Sequence, residues 1–156
     1  MNETTWVPAG VDTAEPRSAV GGRPERLDLE DVDGAIGLGR DFARALLHRW
    51  HWPELPAGLV VAAEDVVLVV SELVTNAAVH GRGVRDLLLQ ALPGMLRIEV
   101  RDRDLATPRP RDGRPGTPGG YGLHIVERLA TEWGYAVDPG SGKTVWALIP
   151  APWPSC

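Results

Sequence analysis

The chain has 156 residues, 44% of them hydrophobic and 24% charged, values typical of one globular domain with a sizeable core. Its net charge of −5 gives no reason to expect nucleic acid or an acidic membrane surface as a partner. Its single cysteine, Cys156, excludes an internal disulfide framework and a multi-cysteine metal site.

Signals for export or membrane insertion are missing from the sequence. The N-terminus has neither a basic start nor an apolar segment of the kind found in secretory signals. Glu64, Asp65 and Glu72 interrupt the most apolar stretch, so no run reaches the ~18 residues of a membrane span. We therefore expect a soluble cytoplasmic protein without a membrane partner.

The first half of the chain predicts one strand and two helices. Residues 26–31 alternate and predict a short edge strand. Asp33 is the predicted N-cap of a helix that runs through Trp50. Residues 61–81 contain no Pro or Gly before Gly81, which predicts a long buried helix closed by a C-cap glycine.

A polar stripe crosses this apolar long helix. Glu72, Asn76 and His80 follow at i, i+4 and i+8, and Asp65 lies two turns earlier on almost the same side. Burying a carboxylate and an amide without partners costs several kcal/mol, so the stripe needs something polar to face. The same spacing also fits the solvent-exposed edge of an amphipathic helix, and spacing alone does not decide between the two.

The next segments predict a hairpin followed by a long loop. Residues 84–92 and 95–102 read as strands joined by a Pro-Gly turn. Asp102 shares the parity of the apolar residues, so its carboxylate points toward the core, although a turn-forming aspartate at a strand end is also common. Residues 103–119 carry several prolines and arginines and predict a loop that is either functional or disordered.

The remaining residues predict a helix and a second hairpin. The run Gly119-Gly120-Tyr121-Gly122 opens an amphipathic helix through about residue 132, and residues 133–138 and 143–149 form strands. A glycine-rich entry to a helix suits phosphate, but it can also be a plain turn. The element order predicts an α+β two-layer sandwich, with helices on one face of a mixed, mostly antiparallel sheet.

The predicted organisation is a flexible segment over residues 1–25, one domain over residues 26–150 and a loose tail over residues 151–156. Trp6 and Trp153, in the two outer segments, are candidates for contacts with another protein.

Two other site types fit poorly. Gly142-Lys143-Thr144 looks like the end of a P-loop, but Val137 stands where that motif needs glycine, and a strand follows where it needs a helix. The four histidines lack the spacing of zinc ligands, apart from one pair flanked by tryptophans.

Three segments together resemble a known family. The run Glu72–Gly81 (ELVTNAAVHG) resembles the N-box of the GHKL superfamily, which includes Hsp90, gyrase and histidine kinases. Asp102 falls at the G1-box aspartate, Gly119–Gly122 with the following helix at the G2 box, and Gly142–Trp146 (GKTVW) at a closing strand. Ser71 and the His-Gly pair resemble the branch of anti-sigma-factor serine kinases. The resemblance covers about residues 26–149 and implies a Bergerat-type ATP-binding fold.

The resemblance implies a role for each site residue. Asn76 would hold Mg²⁺ through its amide oxygen, and Glu72 would act as the catalytic general base beside the γ-phosphate of ATP. Asp102 would accept a hydrogen bond from the adenine amino group, assisted by Thr144. ATP-binding residues in the glycine-rich segment would be Gly119, Gly120, Tyr121, Gly122 and Leu123.

The implied function is an ATP-Mg²⁺-dependent anti-sigma-factor-like serine/threonine kinase. It would regulate a sigma factor or its anti-anti-sigma antagonist by partner switching, and it implies transcription regulation without direct contact to nucleic acid. Relatives in this branch often pair, which leaves a homodimer open. The glycines that normally follow the G1 aspartate are absent after Asp102, which motivates a catalytically silent ATP-binding module of the same fold. A protein-binding domain without nucleotide is the third alternative.

Overall fold

The computed structural model describes residues 22–54, 58, 61–105 and 122–155, and these form five strands and three helices. In chain order the elements are β1 (Glu25–Asp28), α1 (Ala35–Arg49), α2 (Ala63–His80), β2 (Val84–Leu92), β3 (Met95–Asp102), α3 (Gly122–Leu129), β4 (Glu132–Asp138) and β5 (Gly142–Pro150). The order and the two-layer α+β architecture are those predicted from the sequence.

The five described strands form one sheet in the order β1-β2-β3-β5-β4. Each neighbouring pair of described strands is antiparallel, so the expected mixed character of the sheet is not found among them. The first strand lies at an edge, as predicted, and β3 lies at the centre.

The core lies between one face of this sheet and the helices. Successive residues of a strand point to opposite faces, and most of the buried apolar residues of β2, β3 and β5 fall on the face toward the helices. Helix α2 lies between α1 and α3 and packs on β2 and β3. The fully buried side chains that fill this space are Val66, Val69, Val70, Leu73, Val74, Leu87, Leu89, Leu96, Ile98 and Ile149.

Two predicted boundaries at the start of the domain are wrong. The first strand ends at Asp28 instead of residue 31, because the Asp28 carboxylate accepts a hydrogen bond from the backbone N–H of Glu30 at 3.0 Å, and Asp31 has a φ of 54°. The N-cap of α1 is Gly34, with a φ of 73°, and no side chain caps the helix. The Asp33 side chain therefore does not have the capping role predicted for it.

Helix α3 is also shorter than predicted. It ends at Leu129, because the backbone N–H of Thr131 already donates to the carbonyl of Leu148 at 2.8 Å, and β4 begins at Glu132. The residues that the helical periodicity assigned to the end of α3 therefore pair with β5 instead.

The expected loose tail is packed over residues 151–155. Trp153 packs edge-on against Trp50 and Trp52, with ring centroids 6.1 and 5.3 Å away, and its indole N–H donates to the carbonyl of Leu92 at 2.6 Å. The backbone N–H of Gly94 donates to the carbonyl of Pro154 at 2.8 Å. Packing of the Trp153 ring therefore orders the tail, which its prolines had predicted to be loose. Residues 1–21 of the predicted flexible segment, including Trp6, lie outside the described residues, and Glu25 already belongs to β1.

The sheet face away from the helices carries a second polar cluster. Asp86 is fully buried there, and its carboxylate accepts hydrogen bonds from Arg26 of β1 at 2.8 Å and from Arg101 of β3. Farther along this face, the Arg97 guanidinium lies 5.2 Å from the ring centroid of Trp146. Among the described residues, no helix is long and apolar enough to cross a membrane.

Candidate functional site

The first part of the site is one side of α2. Glu72 and Asn76 are half-buried and lie one turn apart, on the side that also carries the exposed side chains of Leu68 and Val79. The opposite side of α2, with Val70 and its fully buried neighbours, faces the core. The predicted polar side chains therefore do lie along one side of α2, and they are neither buried in the core nor fully exposed.

The partial burial of Glu72 has an electrostatic consequence. Withdrawal from water raises the pKa of the Glu72 carboxyl above its ordinary value, and within the described part of the chain no cation offsets this rise. A carboxylate with a raised pKa is a better proton acceptor than an ordinary surface glutamate, as a general base requires.

The second part of the site is Asp102 at the end of β3. Its side chain is 3% exposed on the core face, which is the parity expected from the sequence. The Lys143 ammonium group lies 3.0 Å from Oδ2 and 3.2 Å from Oδ1 of this carboxylate. The backbone N–H of Asp104 donates to Oδ1 at 2.9 Å. Burial raises the pKa of Asp102, while the hydrogen bond and charge of Lys143 oppose that rise.

The end of α2 lies directly against this carboxylate. A Cβ at Gly81 would stand 2.5 Å from Oδ2 of Asp102 and 2.7 Å from the carbonyl oxygen of Ala77. The φ of Gly81 is −98°, so its backbone does not need glycine, and the glycine is required for space. The helix that carries Glu72 and Asn76 therefore ends in contact with Asp102.

Strand β5 supplies the third part of the site. Lys143 is the Cα partner of Asp102, and Thr144 is the partner of Arg101. Because neighbouring residues of a strand point to opposite faces, Lys143 shares the face of Asp102 and Thr144 lies on the other face. The predicted contact of Thr144 with ATP stays a prediction, but the residue paired with Asp102 is Lys143.

The glycine-rich segment is described only at its end. Gly119, Gly120 and Tyr121 lie outside the described residues. Gly122 is the first residue of α3, and Leu123 is buried where this helix packs beside α2. The predicted phosphate contacts of this segment stay predictions.

Sequence reasoning missed Lys143, although a signal for it was present. Neither the failed P-loop nor the GKTVW strand gave this lysine a role, yet it alternates with Val145, Ala147 and Ile149, which are buried on the core face. Strand parity alone would have placed its side chain on the face of Asp102.

The side chains of the site could bind Mg²⁺ only together with phosphate groups. No group of three or more His, Cys, Asp or Glu side chains within the described ranges could hold a metal ion. An amide oxygen such as that of Asn76 suits Mg²⁺ when phosphates and water supply the other positions. The residues present therefore fit a nucleotide-bound ion and do not form a cage of protein ligands.

One comparison with known proteins shows the family of this chain, and a second shows its fold. A model of the family described as histidine kinase-like ATPase domain matches residues 31–149. The crystal structure of the RsbU and RsbW domains of Rv1364c from Mycobacterium tuberculosis matches with a TM-score of 0.58 and 21% identity. That match covers 86% of this chain but 35% of the other chain, so it shows the fold alone. A search of curated proteins found no match.

Proposed function

Since the chain belongs to the histidine kinase-like ATPase family, we propose that it binds ATP with Mg²⁺ and phosphorylates a serine or threonine of a regulatory partner. The partner would be an anti-anti-sigma antagonist, and the outcome would be the release or capture of a sigma factor. One observation carries the proposal. The helix that bears Glu72 and Asn76, one turn apart on its open side, ends against the buried carboxylate of Asp102.

Each residue has a role that its surroundings support. The Asp102 carboxylate is a buried acceptor suited to the amino group of adenine. The amide oxygen of Asn76 would hold the ion, and the N–H groups at the start of α3 would face the phosphates. When bound, Mg-ATP supplies the transferable phosphoryl group and the charge that stabilises it.

The proposed chemical role of Glu72 is proton acceptance. The partner's hydroxyl oxygen bonds to the γ-phosphorus as the bond to the ADP oxygen breaks, and the hydroxyl proton passes to Glu72. The raised pKa of Glu72 supports this role, because it strengthens the carboxylate as a base.

Transfer from labelled ATP tests the kinase proposal. The protein is incubated with labelled ATP, Mg²⁺ and a panel of candidate antagonist proteins, with Glu72→Gln as the matched variant. Label on a serine or threonine of one antagonist, reduced about 10²-fold or more by Glu72→Gln, is the expected result. Transfer that is the same with Glu72→Gln contradicts the general-base assignment, and absence of transfer to every antagonist contradicts the kinase.

A catalytically silent ATP-binding module is the second candidate, favoured by the segment after β3. Where relatives carry the first of the glycines that allow close approach to the nucleotide, this chain has Asp104, directly after Arg103. The backbone N–H of Arg103 donates to the carbonyl of Gly83 at 3.3 Å, and its guanidinium pairs with Glu30. Calorimetry that shows tight Mg-ATP binding, together with no transfer, would favour the module.

A further inference from the structure

A buried lysine stands beside the carboxylate proposed to read the base. Lys143 is 8% exposed, and its ammonium group contacts both oxygens of Asp102 from the neighbouring strand. Strand register places the pair on the face toward the helices. Gly142, at a φ of 131°, allows this end of β5 to approach β3, because a Cβ there would overlap the carbonyl oxygen of Asp102.

Stability alone is a weak reason for this pair. A buried ion pair roughly breaks even against apolar side chains of similar volume, because both ions lose their hydration. The residues around the pair, such as Val100 and Val145, are apolar and would accept an apolar neighbour. A functional role of the lysine would therefore act through the carboxylate that it contacts.

The hydrogen bonds around Asp102 indicate the role of Lys143. Oδ1 accepts from Lys143 and from the backbone N–H of Asp104, whereas the described residues give Oδ2 the lysine alone. A carboxylate oxygen can accept two hydrogen bonds, so Oδ2 keeps a position for a further donor. Only the ionised carboxylate is purely an acceptor, because a protonated acid would present its own O–H.

On the premise of the proposed nucleotide site, we propose that Lys143 is a positioning residue. Its ammonium group fixes the orientation of Asp102 and keeps this carboxylate as an ionised acceptor for the amino group of the base. Burial alone would favour the protonated acid, and the nearby negative charge of Asp104 acts in the same direction. Lys143 is the cation among the described residues that opposes both effects.

The test uses the pH dependence of nucleotide binding in Lys143→Met, which keeps the length of the side chain and removes its charge. Binding of Mg-ATP is measured by calorimetry between pH 5 and 9 for the wild type and the variant. Removing an adjacent opposite charge raises a carboxyl pKa by about one to three units, so the pH at which affinity begins to fall should rise by that amount. Protonation of the triphosphate is common to both proteins and cancels in the comparison.

Two further variants separate positioning from folding. Lys143→Arg keeps the charge and should restore the wild-type pH profile. Arg26→Met removes a basic partner from Asp86, a buried aspartate on the opposite face of the sheet, and should leave the profile unchanged. An unchanged profile in Lys143→Met, or a shift of equal size in Arg26→Met, would overturn the proposal.

A readout without nucleotide separates this proposal from the proposed function. The carboxyl carbon of Asp102 is followed by NMR during a pH titration of the free protein. A midpoint that rises in Lys143→Met supports the positioning role even if the wild type binds no ATP, which would refute only the nucleotide site. A midpoint that does not move refutes the positioning role. If Lys143→Met does not fold, the same titration is made on Lys143→Gln, with the same two outcomes.

Discussion

At the scale of single residues, two carboxyl groups lose solvent on folding, and among the described residues only Asp102 gains a cation beside it. Burial raises the pKa of Glu72 and also that of Asp102, although Lys143 opposes the second rise. A carboxyl group whose folded pKa is raised binds its proton more tightly in the folded state. Its contribution to stability is therefore greatest at low pH and is lost as pH rises through the folded pKa.

Glu72→Gln should stabilise the free protein at neutral pH. The substitution removes a half-buried charge, and because solvent screens that charge the gain should be on the order of 0.5 kcal/mol. The gain should vanish once pH falls below the ordinary carboxyl pKa of 4.5, where both side chains are neutral. Urea unfolding at pH 7 and pH 4 measures it. Glu64→Gln is the control, because Arg44 lowers the pKa of Glu64 and its loss should not stabilise. A gain of equal size at both pH values would contradict the assignment.

Gly81→Ala should destabilise the protein although it places alanine at a helix end. The new methyl group would stand 2.5 Å from Asp102 Oδ2, so the helix end or the carboxylate must move, at roughly 1–3 kcal/mol. Gly37→Ala in α1 is the matched control, since a Cβ there meets open space and should stabilise by up to about 1 kcal/mol. Thermal unfolding of both variants measures the difference. Equal stability of the two variants would show that α2 does not press on Asp102.

At the scale of elements, the sequence predicted best where one pattern dominates. The alternation of residues 95–102 placed Asp102 on the core face, and the apolar run of α2 placed Glu72 and Asn76 on one side. The prediction failed where a contact between residues distant in sequence determines the structure. Pairing of Thr131 with Leu148 ends α3 early. Strand parity indicates the face of Lys143 but not its contact with Asp102, which is 41 residues away.

The ordered tail is an element that local composition could not reveal. Prolines and small residues after β5 indicated a loose end, and the partners of Trp153 come from the segment directly after α1 and from the last residue of β2. The tryptophan joins these segments by ring packing and one hydrogen bond, so it should contribute measurably to the fold.

Trp153→Ala should lower the free energy of unfolding by about 2–3 kcal/mol, less than a fully buried tryptophan because the ring is only partly buried. Trp153→Phe keeps an aromatic ring but loses the hydrogen bond to the Leu92 carbonyl, and it should lose about 1 kcal/mol. Denaturant titrations of both variants give the two values. A negligible change in Trp153→Ala would mean that the tail adds nothing to the stability of the domain.

At the scale of the whole molecule, the candidate site joins three segments that only the fold brings together. Helix α2, the end of β3 and the start of β5 each contribute one part, and the sheet order puts β3 beside β5. A ligand that binds all three parts binds only the folded chain, so it should raise the stability of the whole domain.

Mg-ATP should therefore raise the melting temperature of the wild type. At a nucleotide concentration about 100-fold above Kd, the stabilisation is ~2.7 kcal/mol, which corresponds to roughly 5–10 °C for a domain of this size. Chelation of Mg²⁺ should reduce the shift, because the ion connects the phosphates to Asn76 in the proposed site. Asn76→Ala should give the reduced shift whether or not Mg²⁺ is present. Thr75→Ala, the neighbouring half-buried polar residue of α2, should keep the full shift. A shift that keeps its full size without Mg²⁺ or in Asn76→Ala would place the nucleotide elsewhere on the protein.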